Sequence, residues 1–252
     1  MYKIAIVNQK GGIGKTTTAQ ALAAGLAAKK RRVLAVDLDG QCNLTYLSGA
    51  DIAGSVSNAL ENPSRTREEI THAPEFDLLA GGQELAAADV LLTGTGKEYR
   101  LAAALDTVGK DYDYCIVDTP PALGILSVNA LTAADAVIIP ALVDVLSIQG
   151  INQLARTIDT IRHHTENKSL KISGILLTRH NPRTLVTQGL EQSFEELASD
   201  LGTKVFKSKI RDATAIREAQ VKRKSVLAHA PKSNIAKDYK KFVNEVIKGV
   251  ER

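Results

Sequence analysis

The chain has 252 residues, of which 44% are hydrophobic and 24% are charged. This composition excludes a disordered or collagen-like chain and suits one large folded domain. No apolar stretch approaches the roughly 20 residues of a membrane-spanning helix and no signal segment opens the sequence, so we expect a cytoplasmic protein. The two cysteines, Cys42 and Cys115, are too few for a disulfide framework, and we expect reduced thiols.

The net charge of +4 is unevenly distributed along the chain. Residues 204–252 contain 14 Lys and Arg against 5 Asp and Glu, whereas residues 1–203 contain 18 against 23. The basic end is therefore a candidate surface for a polyanion. Aromatic residues make up only 4% of the chain, so contacts to a nucleic acid should be made to phosphates rather than by base stacking.

Short apolar runs alternate with longer helical segments along the sequence, beginning with a strand, a glycine-rich turn and an Ala/Leu-rich helix. Apolar strands joined by helices predict an α/β fold, a single-domain doubly wound and mostly parallel sheet flanked by helices, spanning residues 1–252. The segment 51–99 is less regular and predicts short helices and loops over one edge. The predicted strands are Tyr2–Asn8, Arg32–Asp37, Tyr114–Asp118, Ala136–Pro140 and Ile172–Thr178, and the main predicted helices are Lys15–Lys29, Ser147–His164 and Thr184–Asp200.

The strongest chemical signal is a glycine-rich loop, KGGIGKTT, between the first strand and the first helix. Glycines let backbone N–H groups approach a phosphate, and the helix N-terminus adds partial positive charge. In such a deviant P-loop NTPase motif, Lys15 contacts the β- and γ-phosphates and Thr16 binds Mg²⁺. Position 9 holds Gln9 instead of the usual glycine, and Lys10 is an additional lysine. The predicted cofactors are ATP and Mg²⁺, and the predicted nucleotide-binding residues are Gly11, Gly12, Gly14, Lys15, Thr16 and Thr17.

Three carboxylates follow or end predicted strands, where active sites of α/β proteins lie. Asp37 ends the second strand, Asp39 follows two residues later, and Asp118 ends the strand Tyr114–Asp118. Asp39 can orient an attacking water, while Asp37, Asp118 and Thr16 can hold the Mg²⁺ shell. The loop 119–124 is then a candidate switch that senses the γ-phosphate.

These motifs resemble the deviant Walker ATPases and, within them, the ParA/Soj partition ATPases. The resemblance covers nearly the whole chain, and it implies a homodimer in the ATP state, with Lys10 crossing to the partner's phosphates. The implied catalytic residues are Lys10, Lys15 and Asp39, and Asn181 is implied to contact the base. Where the family commonly has Pro and then Gly, this chain has Gly40 and Cys42, which leaves the switch and the hydrolysis rate open.

The resemblance also implies that the basic segment within residues 204–241 holds nonspecific double-stranded DNA across the ATP-bound dimer, and that a ParB-like adaptor is a partner. From charge alone, a solvated basic face is an equal interpretation. The sequence shows no N-terminal extension ahead of the first strand, so we expect no helix-turn-helix and no operator-specific repression. The predicted DNA-binding residues are Lys209, Arg211, Arg217, Lys222, Arg223 and Lys224.

We therefore predict an ATPase that dimerises with ATP, binds nonspecific DNA and acts in plasmid or chromosome partition, with slow, partner-stimulated hydrolysis to ADP and phosphate. One alternative is a MinD-like positioning ATPase, because the last helix carries an apolar stripe that could lie on a membrane. We expect this stripe to pack on the sheet instead, with no membrane partner. A dethiobiotin-synthetase-like metabolic enzyme is another alternative. A nitrogenase iron protein is not expected, because neither cysteine is placed in a loop to share a cluster.

Overall fold

The computed structural model describes residues 1–181 and 185–250, apart from the side chains of residues 91 and 185–188. Seven strands in these ranges form one sheet, in which only the edge pair made by residues 70–72 and 77–79 is antiparallel. The strands are β1 (Tyr2–Ile6), β2 (Val33–Asp37), β3 (Ile70–His72), β4 (Asp77–Leu79), β5 (Tyr114–Asp118), β6 (Ala136–Leu142) and β7 (Lys171–Thr178). Their order is β3-β4-β2-β5-β1-β6-β7, which confirms the predicted fold class.

Helices connect the strands and cover both faces of the sheet. Short 3-10 helices at Pro63–Glu69, Gln83–Ala87 and Lys97–Tyr99 supplement them. The α-helices of the described residues are α1 (Lys15–Ala27), α2 (Asn43–Ser48), α3 (Val56–Glu61), α4 (Ala88–Leu91), α5 (Arg100–Thr107), α6 (Ile125–Ala133), α7 (Val145–His164), α8 (Leu185–Asp200), α9 (Thr214–Val221), α10 (Val226–His229) and α11 (Asn234–Val250).

The central strands place three loops at one edge of the sheet. β5 lies between β1 and β2, with Ile6 opposite Asp118 and Asp118 opposite Asp37 in the parallel register. β1 has β5 on one side and β6 on the other, so the strand order reverses beside it. The loops that follow β1, β2 and β5 therefore meet at the switch point, where doubly wound folds bind ligands.

Two hydrophobic clusters occupy the two faces of the sheet, one beneath α5–α8 and the other beneath α1 and α11. The apolar stripe of α11 lies in the second cluster, and Tyr239 and Phe242 are among its fully buried residues. This placement confirms that the stripe packs on the fold. Among the described helices, none has the length and apolar character needed to cross a membrane.

The irregular segment 51–99 contains two strands that the sequence pattern did not predict. β4 pairs in parallel with β2, and β3 pairs antiparallel with β4, so together they extend the sheet at that edge. Each strand has only three residues. Such runs are too short to show an alternating apolar pattern, and pairing with β2 determines their conformation. The predicted start of the helix at Thr184 lies outside the described residues.

Candidate functional site

The glycine-rich loop has the backbone conformation of a phosphate cradle. Gly12 and Gly14 have φ angles of 71° and 92°, in the left-handed region that favours glycine. Gly14 is the N-cap of α1 and, as a glycine, has no side chain that could cap the helix. The N–H groups of the first turn of α1 thus have no side-chain cap, and the helix N-terminus can accept an anion.

Lys15 is 7% exposed, and its Nζ donates a hydrogen bond to the backbone oxygen of Lys10 at 3.2 Å. Burial lowers the pKa of Lys15, while the carboxylates of Asp118 and Asp39 act in the opposite direction. The Lys15 ammonium thus has one carbonyl contact and makes no ion pair with a carboxylate among the described residues. The geometry suits a phosphate that would supply the missing negative charge.

Asp37 is fully buried and is held by a residue of α2. The backbone N–H and the hydroxyl of Thr45 both donate to Oδ2 of Asp37 at 2.8 Å, and the backbone N–H of Asp39 donates to Oδ1 at 3.1 Å. Burial raises the pKa of Asp37 to about 6, and these hydrogen bonds oppose the shift. Thr45 was not predicted as a site residue, since it lies eight residues beyond Asp37 and only the fold brings the two together.

Asp118 is the least compensated charge in the site. It is fully buried, and neither carboxylate oxygen has a hydrogen-bond partner among the described residues. Burial raises its pKa well above the ordinary value, and the neighbouring Asp37 adds to the shift, while Thr16 and Lys15 oppose it. An unpaired buried carboxylate is costly unless it serves a ligand or reaction.

These residues fit a magnesium ion bound together with a phosphate. Mg²⁺ is usually held by one or two carboxylates, a hydroxyl, waters and substrate phosphates rather than by a complete cage of protein ligands. The orphaned oxygens of Asp118 lie beside Thr16 at the start of α1, which is such a partial set. No cluster of three or more His, Cys, Asp and Glu side chains able to hold a metal occurs in the described part of the chain. Phosphate oxygens and waters would be the other ligands of a magnesium ion bound here.

A cleft of about 530 Å³ opens above the loop and is large enough for a nucleotide. Asp39 lines it, and Oδ1 of Asp39 accepts a hydrogen bond from the backbone N–H of Gln41 at 3.0 Å. Several further lining residues were not predicted as site residues. Among them are Tyr46, Arg179 and Gln220.

The additional lysine of the loop makes an ion pair within its own chain. Nζ of Lys10 lies 2.7 Å from Oδ2 of Asp144, and about a third of each side chain is exposed. Asp144 is also the N-cap of α7, where its other oxygen accepts a hydrogen bond from the backbone N–H of Ser147 at 2.8 Å. Burial alone would raise the pKa of Asp144, but these bonds hold it below the ordinary value. Asp144 was not predicted as a partner of Lys10.

The segment after β7 is placed next to the cleft. Arg179 adopts a left-handed conformation with φ of 47° and lines the cleft. Asn181, the residue predicted to contact the base, is exposed two residues further on and does not line the cleft in this structure. Its predicted role stays a prediction.

The predicted DNA-binding residues separate into two groups. Lys209 pairs with Glu191, and Arg211 makes two hydrogen bonds to Asp238 at 2.6 and 3.0 Å. Arg217, Lys222 and Lys224 are exposed, and no ion pair involves them among residues 1–181 and 185–250. The remaining residue, Arg223, contacts α2. Lys209 and Arg211 are therefore neutralised by carboxylates, whereas the other four residues have no ion pair within the described part of the chain.

Comparisons with known proteins agree with this site. Residues 1–172 match the family model described as an AAA domain. The sporulation initiation inhibitor protein Soj of Bacillus subtilis is 38% identical over 96% of this chain and 97% of its own length. The chromosome-partitioning ATPase Soj of Thermus thermophilus is 36% identical over 99% of this chain and 96% of its own length. The crystal structure of cobyrinic acid a,c-diamide synthase from Mycobacterium smegmatis with bound ADP and magnesium has a TM-score of 0.85 and 32% identity, over 100% of this chain and 96% of that chain.

Residues 124–251 match a second family model, described as 4Fe-4S iron sulfur cluster binding proteins of the NifH/frxC family. Neither cysteine lies in that range. Cys115 is buried in β5, whereas Cys42 is half-buried in the loop before α2. A [4Fe–4S] cluster takes four thiolates, and one accessible cysteine per chain cannot supply them even in a dimer. The chain therefore belongs to the ParA/Soj family of ATPases, with ATP and Mg²⁺ as its cofactors.

Proposed function

We propose that this ATPase dimerises when it binds ATP, holds double-stranded DNA without sequence preference in that state, and drives plasmid or chromosome partition together with a ParB-like adaptor. The observation that carries the proposal is the position of Lys10. This lysine lies on the phosphate loop but is held by an ion pair with Asp144 in which about a third of each side chain is exposed. Such a pair contributes at most about 1 kcal/mol and can be exchanged for a stronger anion.

In the proposed reaction the loop amides and Lys15 hold the phosphates and stabilise the charge that develops in the transition state. Thr16 and Asp118, with Asp37 beside them, would hold the magnesium shell, and the bound metal supplies charge neutralisation at the β- and γ-phosphates. Asp39 lines the cleft and would orient the attacking water. Lys10 from the partner subunit would add a cation in trans, as an arginine finger does.

Dimerisation and the role of Lys10 can be tested by sedimentation velocity with ATP, ADP and no nucleotide. The variant Asp39→Ala should accumulate as a dimer with ATP, because binding is kept and hydrolysis is slowed. Lys10→Ala should bind ATP and remain monomeric. The matched control Lys30→Ala changes an exposed lysine outside the site and should behave as the unmodified chain. A Lys10→Ala chain that dimerises and hydrolyses ATP normally would refute a role in trans.

DNA binding is supported by the exposed cations Arg217, Lys222 and Lys224 next to the cleft residue Gln220. Contacts through such point charges are made to phosphates and do not read sequence. Neutralising all three should weaken binding to unrelated duplexes in the ATP state without altering ATP affinity. Equal binding by the neutralised variant would place the DNA surface elsewhere.

Two other functions lead to different results in these assays. A MinD-like positioning ATPase would bind anionic vesicles rather than DNA, yet the apolar stripe of α11 is buried here and is not exposed for a membrane. A metabolic ligase would release ADP in response to a small-molecule substrate. Measuring ADP release with DNA, with vesicles and with neither separates the three.

A further inference from the structure

The short helix α2 contacts the nucleotide site with its first half. Thr45 donates its backbone N–H and its hydroxyl to Asp37, and the hydroxyl of Thr45 also accepts a hydrogen bond from the backbone N–H of Gly81 at 2.8 Å. The next residue, Tyr46, lines the cleft. The position of α2 is therefore coupled to the buried carboxylate that lies beside the magnesium site.

The second half of α2 contacts the basic segment. Nε of Arg223 donates a hydrogen bond to the backbone oxygen of Tyr46 at 2.9 Å, and the Arg223 guanidinium lies 5.0 Å from the centre of the Tyr46 ring. Gly49, the C-cap of α2, packs against the same residue. A Cβ at position 49 would come 2.8 Å from the backbone oxygen of Arg223.

The turn that carries Arg223 is held in an unusual conformation. Arg223 has a φ of 51°, in the left-handed region that non-glycine residues seldom adopt. Immediately beyond the turn, the backbone N–H of Ser225 donates to Glu75 at 2.8 Å. A strained residue persists only where its surroundings determine it, and here the determinants are α2 and Glu75.

Lys222 and Lys224 differ from the residue between them. All three side chains are exposed, but only Arg223 contacts α2, and no ion pair of Lys222 or Lys224 is present among the described residues. The planar guanidinium of Arg223 is stacked on an aromatic ring and bonded to a carbonyl, which a lysine ammonium cannot reproduce. The three adjacent cations therefore have two different roles.

We infer that Arg223 is a positioning residue that ties the basic turn 222–224 to α2, so that nucleotide bound beside Asp37 sets the position of Lys222 and Lys224, and that Arg223 does not itself contact DNA. This inference rests on the proposed DNA binding. The nucleotide site and the basic turn both contact α2. A ligand bound at either site therefore shifts the same equilibrium between positions of α2.

Salt titrations of DNA affinity separate a positioning residue from a phosphate contact. Each phosphate contact contributes about 0.9 to the slope of log affinity against log salt. Lys222→Ala and Lys224→Ala should each lower the slope by about that amount in the ATP state. Arg223→Lys, which keeps the charge, and Arg223→Asn, which suits the left-handed backbone, should both leave the slope unchanged. Both should reduce the ratio of affinity with ATP to affinity with ADP roughly fivefold or more.

The opposite pattern would overturn the inference. If Arg223 contacts phosphate, Arg223→Lys should behave as the unmodified chain and Arg223→Asn should lower the slope with an unchanged nucleotide ratio. Unchanged slope and unchanged ratio in both variants would also refute it. If the unmodified chain binds no DNA with ATP, the proposed function has failed. A measurement without DNA then tests whether Arg223 couples the turn to α2.

That measurement is hydrogen exchange of the backbone amides in the turn 222–224 and in Ser225, which follows it. It is made with and without ATP and Mg²⁺, in the Asp39→Ala background. Nucleotide should slow exchange in the turn when Arg223 is present and when Lys222 is changed to Ala. The effect should be lost in Arg223→Lys and Arg223→Asn. A response to nucleotide that is equal in all four chains would show that α2 does not transmit it through Arg223.

Discussion

Replacing Asp118 by asparagine should stabilise the ligand-free protein while it weakens the binding of Mg²⁺ and ATP. Both oxygens of Asp118 are buried without a hydrogen-bond partner in the described chain, and Asp37 lies opposite in the register of β2 and β5. Burial raises the pKa of Asp118, so ionising this carboxyl costs more free energy in the folded protein than in the unfolded chain. Asparagine has nearly the same shape and removes that charge.

The pKa shift of Asp37, the neighbouring carboxyl, sets the scale of the expected gain in stability. Burial raises the pKa of Asp37 from the ordinary value of 3.8 to about 6, which corresponds to about 3 kcal/mol. The pKa of Asp118 is raised in the same direction, with only Thr16 and Lys15 opposing the shift, so we expect Asp118→Asn to gain an amount of the same order at neutral pH, about 1–3 kcal/mol. For a chain of this size the melting temperature should rise by roughly 2–12 °C.

The pH dependence has a definite sign. A carboxyl with a raised pKa in the folded state binds more protons folded than unfolded, so stability falls as pH rises from about 4 to above 6. The advantage of Asp118→Asn should therefore be small at about pH 4 and should increase towards neutral pH.

Urea unfolding in EDTA across this range measures the effect of Asp118→Asn, with the exposed Asp212→Asn as the matched control. A variant that is no more stable than the unmodified chain at neutral pH would refute the electrostatic account of the site.

Two further predictions concern stability elsewhere. Cys42 has a φ of 53°, so Cys42→Gly should raise the free energy of unfolding by about 0.5–1 kcal/mol, whereas Cys42→Ala should give no gain; equal effects in urea unfolding would exclude backbone strain. Arg211→Ala should cost about 1–3 kcal/mol because it leaves the buried Asp238 unpaired, while Arg217→Ala should change the same free energy by less than about 0.5 kcal/mol. Equal costs in urea unfolding would show that the ion pair does not contribute to stability.

The site residues that could be predicted from the sequence are those whose position follows from the chain order. The glycine-rich loop, Asp37 and Asp118 each end a strand of a parallel sheet, and the carboxyl ends of neighbouring parallel strands meet at one edge. The structure places them within one site for that reason. Thr45 and Asp144 depend on which elements pack together, and no local pattern marks either one.

The same limit applies to the basic segment and to the sheet edge. A run of lysines and arginines indicates net charge, but it does not show that Glu191 and Asp238 neutralise Lys209 and Arg211. Likewise the three-residue strand β4 is determined by pairing with β2 rather than by its own sequence. Local pattern therefore predicted the nucleotide site more fully than the surface proposed for DNA.

The measurement that tests the central claim most directly is the affinity of the unmodified chain for an unrelated DNA duplex with ATP, with ADP and without nucleotide. The account predicts tight, salt-sensitive binding only with ATP and Mg²⁺, and loss of that binding in Lys15→Ala, which removes the ammonium proposed to contact the phosphates. Binding that is equal in all three nucleotide states, or absent with ATP at low salt, would contradict it.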